Sequence, residues 1–331
     1  MPAGNLIYSY GFGASDRVLD DAPAVFLEGI YSTSDSTHPK ADITSLTCIP
    51  EGDNHVVFVG YANGTLEKLE LPDAQGCQDM IFVPCSSREA FDDHGDNVVE
   101  SISASSTHFL SISSAGSACL RALSGEPSEK IALDVRGWST LLSTRSSRQY
   151  ATFGTTSLHP LAVHDVLPSG ISPNPFFLLD VPEDYTRPTA VYDITSAPMS
   201  SPWGASDQVI ISGWFDGFVR VHDLRASDTA RSSSSAASPD ASSASVGSLQ
   251  PALAFEDPWS FEPIYSVSCG GGASAHIAAG SARHSVVSFW DVRYAGKGWS
   301  VHAPGNDPSP VYSVVIDVRA CSARTRVEGS S

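Results

Sequence analysis

A pattern that recurs along the chain constrains its fold more than any other feature. Its clearest form is Gly213-Trp214-Phe215-Asp216-Gly217-Phe218-Val219-Arg220-Val221-His222-Asp223-Leu224-Arg225, preceded by an apolar run and alternating within. Gly60-Tyr61-Ala62-Asn63-Gly64-Thr65-Leu66-Glu67-Lys68-Leu69-Glu70 matches it position for position, and the run from Gly280 to Arg293 matches with one extra residue. Weaker copies run from Ser113 to Leu123 and from Gly154 to Val166. Each copy reads as strand, tight turn, strand, because Asn63-Gly64 and Asp216-Gly217 tolerate the positive φ that a hairpin turn needs. Glycine (26) and proline (22) are abundant and charged residues make up only 17% of the chain, which disfavours long helices. The chain is therefore read as a series of short strands joined by turns.

Equivalent marks in the copies fall at Leu69, Arg121, His164, His222 and Trp290, at intervals of 52, 43, 58 and 68 residues. The last interval contains a serine-rich stretch of roughly 25 residues (226–250); without it about 43 remain, close to a four-stranded propeller blade. The runs ending Val221-His222-Asp223 and Phe289-Trp290-Asp291 resemble WD40 repeats, which close a blade's third strand with Trp-Asp after an Asp-Gly turn. Trp-Asp stands literally only at 290–291, and no Gly-His dipeptide precedes a repeat. The resemblance covers nearly the whole chain. It implies an all-β, WD40-like β-propeller of six to seven four-stranded blades over residues 1–317.

Five blades are expected: 43–49, 56–61, 65–71 and 80–83; then 98–104, 108–112, 118–123 and 130–134; then 138–143, 150–154, 161–166 and 176–179. The fourth takes 190–195, 209–214, 218–224 and 253–255, and the fifth 264–268, 276–280, 286–292 and 300–302. Strands 6–10, 24–27 and 311–316 are left over. Because an open ring exposes sheet edges, they are expected to close it as one composite blade of N- and C-terminal strands. The low-complexity insertion 226–250 is expected to be disordered, with Ser238, before Pro239, a candidate phosphorylation site. The tail 318–331 shows no strand pattern and is read as irregular, a candidate non-native terminus.

In WD40-like rings the second-to-third-strand turns and the connections between blades share a face that binds partners. Carried onto this chain, the resemblance assigns Tyr61, Asn63, Trp214, Phe215, Arg283 and His284 to that face from the turns. Trp138, Asp184, Tyr185, Arg187 and Trp259 join it from the connections. Aromatics interleaved with carboxylates suit peptide segments with basic or apolar side chains. Arg225 and Arg293 follow the closing aspartates as His222-Asp223-Leu224-Arg225 and Trp290-Asp291-Val292-Arg293. This resembles the WDxR signature of propellers that dock to a cullin ligase adaptor; a charge pair with a nearby carboxylate is the plainer reading. Phrases such as GWFDGFVRVHDLR are also similar to F-box/WD-repeat proteins, although no F-box precedes the first strand here. The resemblance implies a substrate receptor of a ubiquitin ligase, with a general scaffold as the alternative.

Nineteen basic against 37 acidic side chains leave a net charge of −18. Such a field repels nucleic acid and anionic lipid, so neither is expected as a partner. The cysteines at 48, 77, 85, 119, 269 and 321 show no zinc-site spacing. Free thiols in a cytoplasmic or nuclear protein are expected, with no signal peptide or apolar membrane span. No nucleophile elbow, P-loop, dinucleotide fingerprint or HExxH motif occurs. Gly270-Gly271-Gly272 runs into another strand rather than a phosphate-binding helix. No catalytic residue, cofactor or metal is therefore expected; a hydrolytic or ligand-binding propeller is the remaining alternative.

Overall fold

The computed structural model describes residues 4–12, 25–33, 41–51, 54–72, 82–83, 85, 87–124, 129–145, 148–180, 188–203, 206–226, 246–302, 308–316 and 323–326. Among them the chain is all β apart from two 3-10 turns, Gly272–Ser274 and Val292–Tyr294. An N-terminal hairpin comprises β1 (Leu6–Phe12) and β2 (Val25–Ser32). The first meander is β3 (Ile43–Glu51), β4 (Asn54–Tyr61), β5 (Leu66–Leu71) and β7 (Ser87–Phe91), with β6 (Phe82–Val83) paired to β2 instead. The second is β8 (Val99–Ala104), β9 (His108–Ser113), β10 (Ser117–Ala122) and β11 (Glu129–Ala132). The third is β12 (Gly137–Ser143), β13 (Tyr150–Ser157), β14 (Leu161–Leu167) and β16 (Phe177–Leu179), with β15 (Gly170–Ile171) on β14. The fourth is β17 (Thr189–Ser196), β18 (Val209–Trp214), β19 (Val219–Asp223) and β21 (Leu253–Phe255), while β20 (Gly247–Leu249) lies alongside β16. The fifth is β22 (Ile264–Gly270), β23 (His276–Ser281), β24 (Val286–Asp291) and β25 (Gly298–His302). The chain ends in a hairpin of β26 (Ser313–Ile316) and β27 (Ala323–Arg326).

Side chains alternate across a strand, so a middle strand buried on both faces reads as a continuous apolar run. In β4, Val57 and Val59 face a cluster with Ile7 and Tyr31 of the N-terminal hairpin. Val56 and Phe58 face the other way, against Val99, Ile102 and Phe109 of the second meander. The same division continues along the chain, so the core is a series of apolar layers between successive sheets. The first strands β3, β8, β12, β17, β22 and then β26 neighbour one another in order. A short β13–β17 pairing joins the third and fourth meanders into one ten-stranded sheet.

Serine and threonine stitch the first strands across these seams. Thr44 Oγ1 donates to the Val99 carbonyl at 2.6 Å, and Ser266 Oγ to that of Val311 at 2.9 Å. In the opposite sense, Ser103 Oγ accepts from Leu142 N at 2.9 Å and Ser268 Oγ from Ile316 N at 3.0 Å. Close approach also needs a missing side chain. A Cβ at Gly60 would lie 2.6 Å from Val99, at Gly213 2.7 Å from Ile264, and at Gly280 2.6 Å from Val311. The second-to-third seam reverses this arrangement: Ile112 occupies the glycine's register position, and Gly137 the valine's. A Cβ at Gly137 would lie 2.5 Å from Ile112 Cδ1.

Three expectations are corrected. The first meander's outer strand is Ser87–Phe91 rather than 80–83, because the open edge of β2 takes Phe82–Val83. The N- and C-terminal strands form no composite sheet among the described residues: β26 finds its partner in β27, which lies inside the tail expected to be irregular. Gly247–Leu249, inside the stretch expected to be disordered, pairs in parallel with β16. One of its edges is paired there. Cys48, Cys85, Cys119 and Cys269 are free thiols.

Candidate functional site

Near its start, each of the five first strands shifts register against its partner and leaves one extra residue. These residues are Thr44, Glu100, Trp138, Tyr192 and Tyr265. A bulge of this kind re-aims the side chain of the unpaired residue. Three successive ones are aromatic, and Tyr312, before β26, continues the series. Trp138 meets Tyr192 edge-on at 4.8 Å, Tyr192 meets Tyr265 edge-on at 5.0 Å, and Tyr265 stacks with Tyr312 at 6.0 Å. Phe215 joins from the fourth meander's turn, 6.3 Å from Tyr192. The result is an aromatic arc spanning four first strands.

The arc already holds one cation. The Arg136 guanidinium lies 3.9 Å from the Trp138 ring centroid and bridges to Glu100 at 2.9 Å. Trp138 Nε1 donates to Thr156 Oγ1 at 2.7 Å, which fixes the ring. Burial raises the Glu100 carboxyl, with Arg136 opposing it. Burial, with Tyr265 alongside, also raises the Tyr192 hydroxyl. Beneath the arc, Asp193 accepts Val267 N at 2.7 Å and Ile194 N at 2.8 Å. Burial pushes its carboxyl up to about 7, although both amides pull it down. Beside the arc lies a hollow of about 500 Å³, bordered by Phe215, Asp216, Phe261, Glu262 and Arg283. Phe261 is 82% exposed.

Two expected face residues are buried. Tyr61 bonds Glu67 at 2.6 Å inside the sheet, and Trp214 is 0% exposed, its Nε1 donating to Ser212 Oγ at 2.8 Å. Burial and the bond to Glu67 raise the Tyr61 hydroxyl. Arg220 lies 4.5 Å over the Trp214 ring and pairs with Asp216 at 2.7 Å. The physical reason is shared. Gly64 N bonds the Tyr61 carbonyl and Gly217 N that of Trp214, so each aromatic is the last paired strand residue and the turn begins one residue later. Asn63, Phe215, Arg283, His284 and Trp259 are exposed, and Trp138 is half-buried. His284 and Ser285 take φ of 59° and 52°, and both His284 Nδ1 and Arg283 N bond Glu262.

Trp259 stands apart from the arc, beside β25. Arg225 and Arg293 fold back onto their own aspartates, Asp223 at 2.7 Å and Asp291 at 2.6 Å. Asp184, Tyr185, Arg187 and Ser238 lie outside the described residues. The sequence reading missed Tyr192, Tyr265, Tyr312 and Phe261. A signal was present for the tyrosines: each precedes the Ser or Asp that recurs near the start of a first strand.

Among the described residues no cluster of His, Cys, Asp and Glu could hold a metal ion, and no helix is long and apolar enough to cross a membrane. The site and the sheets define an all-β protein built from successive antiparallel meanders. No family model matches the chain, and no curated protein matches it. Solved structures that match include the computationally designed Ika8 protein, at 15% identity and a TM-score of 0.50. That match covers 84% of this chain and 66% of the design, so this chain spans just under two thirds of the design's length. At that identity the likeness is one of fold alone.

Proposed function

We propose that this chain is a WD40-like β-propeller that binds segments of partner proteins across the aromatic arc. The fold part of the reading is supported by the ordered contact of successive first strands. On this reading there are seven blade positions: the N-terminal sheet, five meanders and the C-terminal hairpin. His94 adds support, because its Nε2 lies 2.8 Å from Ser111 Oγ, the histidine–serine pair of a WD40 repeat. Asp93-His94 stands where Gly-His would be.

The observation that carries the function is the run Trp138–Tyr192–Tyr265–Tyr312, three bulge positions and the residue before β26 joined into one contact surface. Partly exposed aromatic rings attract both cations and apolar groups, and such residues dominate binding energies at interfaces. The Arg136 guanidinium over Trp138 supports basic side chains as one ligand chemistry for the arc, and the matching partner is a peptide with basic and apolar side chains. The test is selection of binding peptides from a random library on the immobilised chain. Peptides that lose at least tenfold in affinity on Tyr192→Ala/Tyr265→Ala support the arc; unchanged affinity places binding elsewhere.

A narrower reading, ubiquitin-ligase substrate receptor, rests on Arg225 and Arg293. Their aspartate pairs favour the plainer account as edge ion pairs, so the scaffold reading stands ahead of it. Capture of a cullin adaptor by the wild type, lost on Arg225→Glu/Arg293→Glu, would reverse that order.

A further inference from the structure

Sheet edges with open backbone groups invite added strands, and proteins protect them with charge, short length or a covering segment. Four of the five outer strands here are protected in one of these ways. Ser87–Phe91 carries Arg88 and Glu89, and Glu129–Ala132 carries Glu129 and Lys130. Leu253–Phe255 has only three residues, and Phe177–Leu179 is covered by the parallel strand Gly247–Leu249. The fifth, β25, differs. Gly298-Trp299-Ser300-Val301-His302 has no proline, acid, lysine or arginine, and all five residues are exposed. Among the described residues, no strand pairs its outer edge.

Next to this edge is a hollow of about 100 Å³ walled by Pro258, Trp259, Trp290, Trp299 and Ser300, with room for one aliphatic side chain. Trp259 is 89% exposed, yet its backbone N is held by Asp257 Oδ1 at 2.9 Å. Asp257 Oδ2 is taken by Ser288 at 2.8 Å, so the hollow sets proline and tryptophan side chains beside two serines and a satisfied carboxylate. Strand addition draws affinity from main-chain hydrogen bonds and specificity from such pockets for alternate side chains. The strand itself carries no acid: exposed Lys297 precedes it, and the nearby carboxylates Asp291 and Asp257 are taken by Arg293 and Ser288.

We infer that β25 is a docking edge for an extended segment of a partner protein that alternates apolar side chains with carboxylates, one apolar side chain seating between Trp259 and Trp299. A second copy of this chain fits less well, since it would bring two strongly acidic bodies and two Lys297 side chains together. This inference is independent of the aromatic arc. The probe is a labelled heptapeptide alternating valine and glutamate, titrated against the full chain by fluorescence polarisation, with amide hydrogen exchange followed at 298–302. The expected result is saturable binding that slows exchange at 298–302 and weakens at least fivefold on Trp259→Ala or Lys297→Glu. Both side chains are exposed, so neither change threatens the fold. A valine–lysine heptapeptide is expected to bind at least tenfold more weakly. Equal binding of the two peptides, no slowing at 298–302, or full affinity in Trp259→Ala would overturn the proposal. Concentration-dependent protection of 298–302 without peptide would also overturn it and assign the edge to a second copy.

Discussion

The first two meanders and the next three place different chemistry at the same backbone position. Thr44 and Glu100 are the bulge residues of the former; Trp138, Tyr192 and Tyr265 are those of the latter. The backbone pairing around them is alike. A repeated fold thus sets where a side chain emerges and leaves its identity open, so a contact surface can occupy part of the array. The polar positions still contribute: Glu100 holds Arg136, and Arg136 covers Trp138.

The largest effect is expected where an aromatic belongs to the fold instead of the surface. Trp214→Ala should cost about 3–5 kcal/mol of stability, as large-to-small core changes do, and also removes the ring under Arg220 and the donor to Ser212. Phe215→Ala, one residue on, should stay within about 0.5 kcal/mol because its side chain is exposed. Urea unfolding of both variants checks this; equal losses would contradict the buried and exposed assignments. At the inverted seam, Gly137→Val should cost about 1–3 kcal/mol by overpacking against Ile112. Combined with Ile112→Gly, which restores the order of the other seams, a β-branched residue against a glycine, it should cost less than the two single changes added together. A double-mutant cycle with no coupling would mean that the two positions do not share that space.

A third prediction sharpens the comparison between the two halves of the array. Peptides selected on the arc should lose about 1.4 kcal/mol or more, a factor of ten, on Tyr192→Ala. Thr44→Ala should leave their affinity unchanged, since Thr44 lies outside the aromatic run. Isothermal titration reads both.

A further effect concerns pH. Asp193 sits where the second meander has Ser101, and each accepts an amide from the next first strand, Val267 N or Thr140 N. Burial raises the Asp193 carboxyl to about 7, so its contribution to stability is full below its unfolded value and lost as pH rises through about 7. His94 and His222 oppose it. Burial holds both near 4, so their contribution is full above the unfolded histidine value and lost as pH falls from there. Asp193→Ser should therefore make stability rise more steeply with pH between 4.5 and 6.5, as measured by urea midpoints. An unchanged slope would show that Asp193 does not titrate in that window.

The order and type of nearly all strands were legible in the amino-acid sequence, because alternation and Asn-Gly or Asp-Gly turns are local signals. The apolar runs at 56–59 and 209–211 lie in middle strands buried on both faces. Local pattern went wrong where one residue or one distant edge mattered. Tyr61 and Trp214 looked like turn residues, but pairing with Ile43 and Val191 of the preceding first strands extends each strand over them and turns their rings inward. The edge of β2 drew Phe82–Val83 away from the first meander, and the edge of β16 gave Gly247–Leu249 a partner inside a low-complexity run. The aromatic arc has a faint mark in sequence, the Trp or Tyr preceding a repeated Ser or Asp. Whether that residue is paired or bulged depends on the register of a neighbouring strand. Its meeting with the matching residue of the next first strand, 47 to 73 positions away, depends on sheets packing side by side. Local patterning wrote the strands; pairing and packing across the chain placed their side chains.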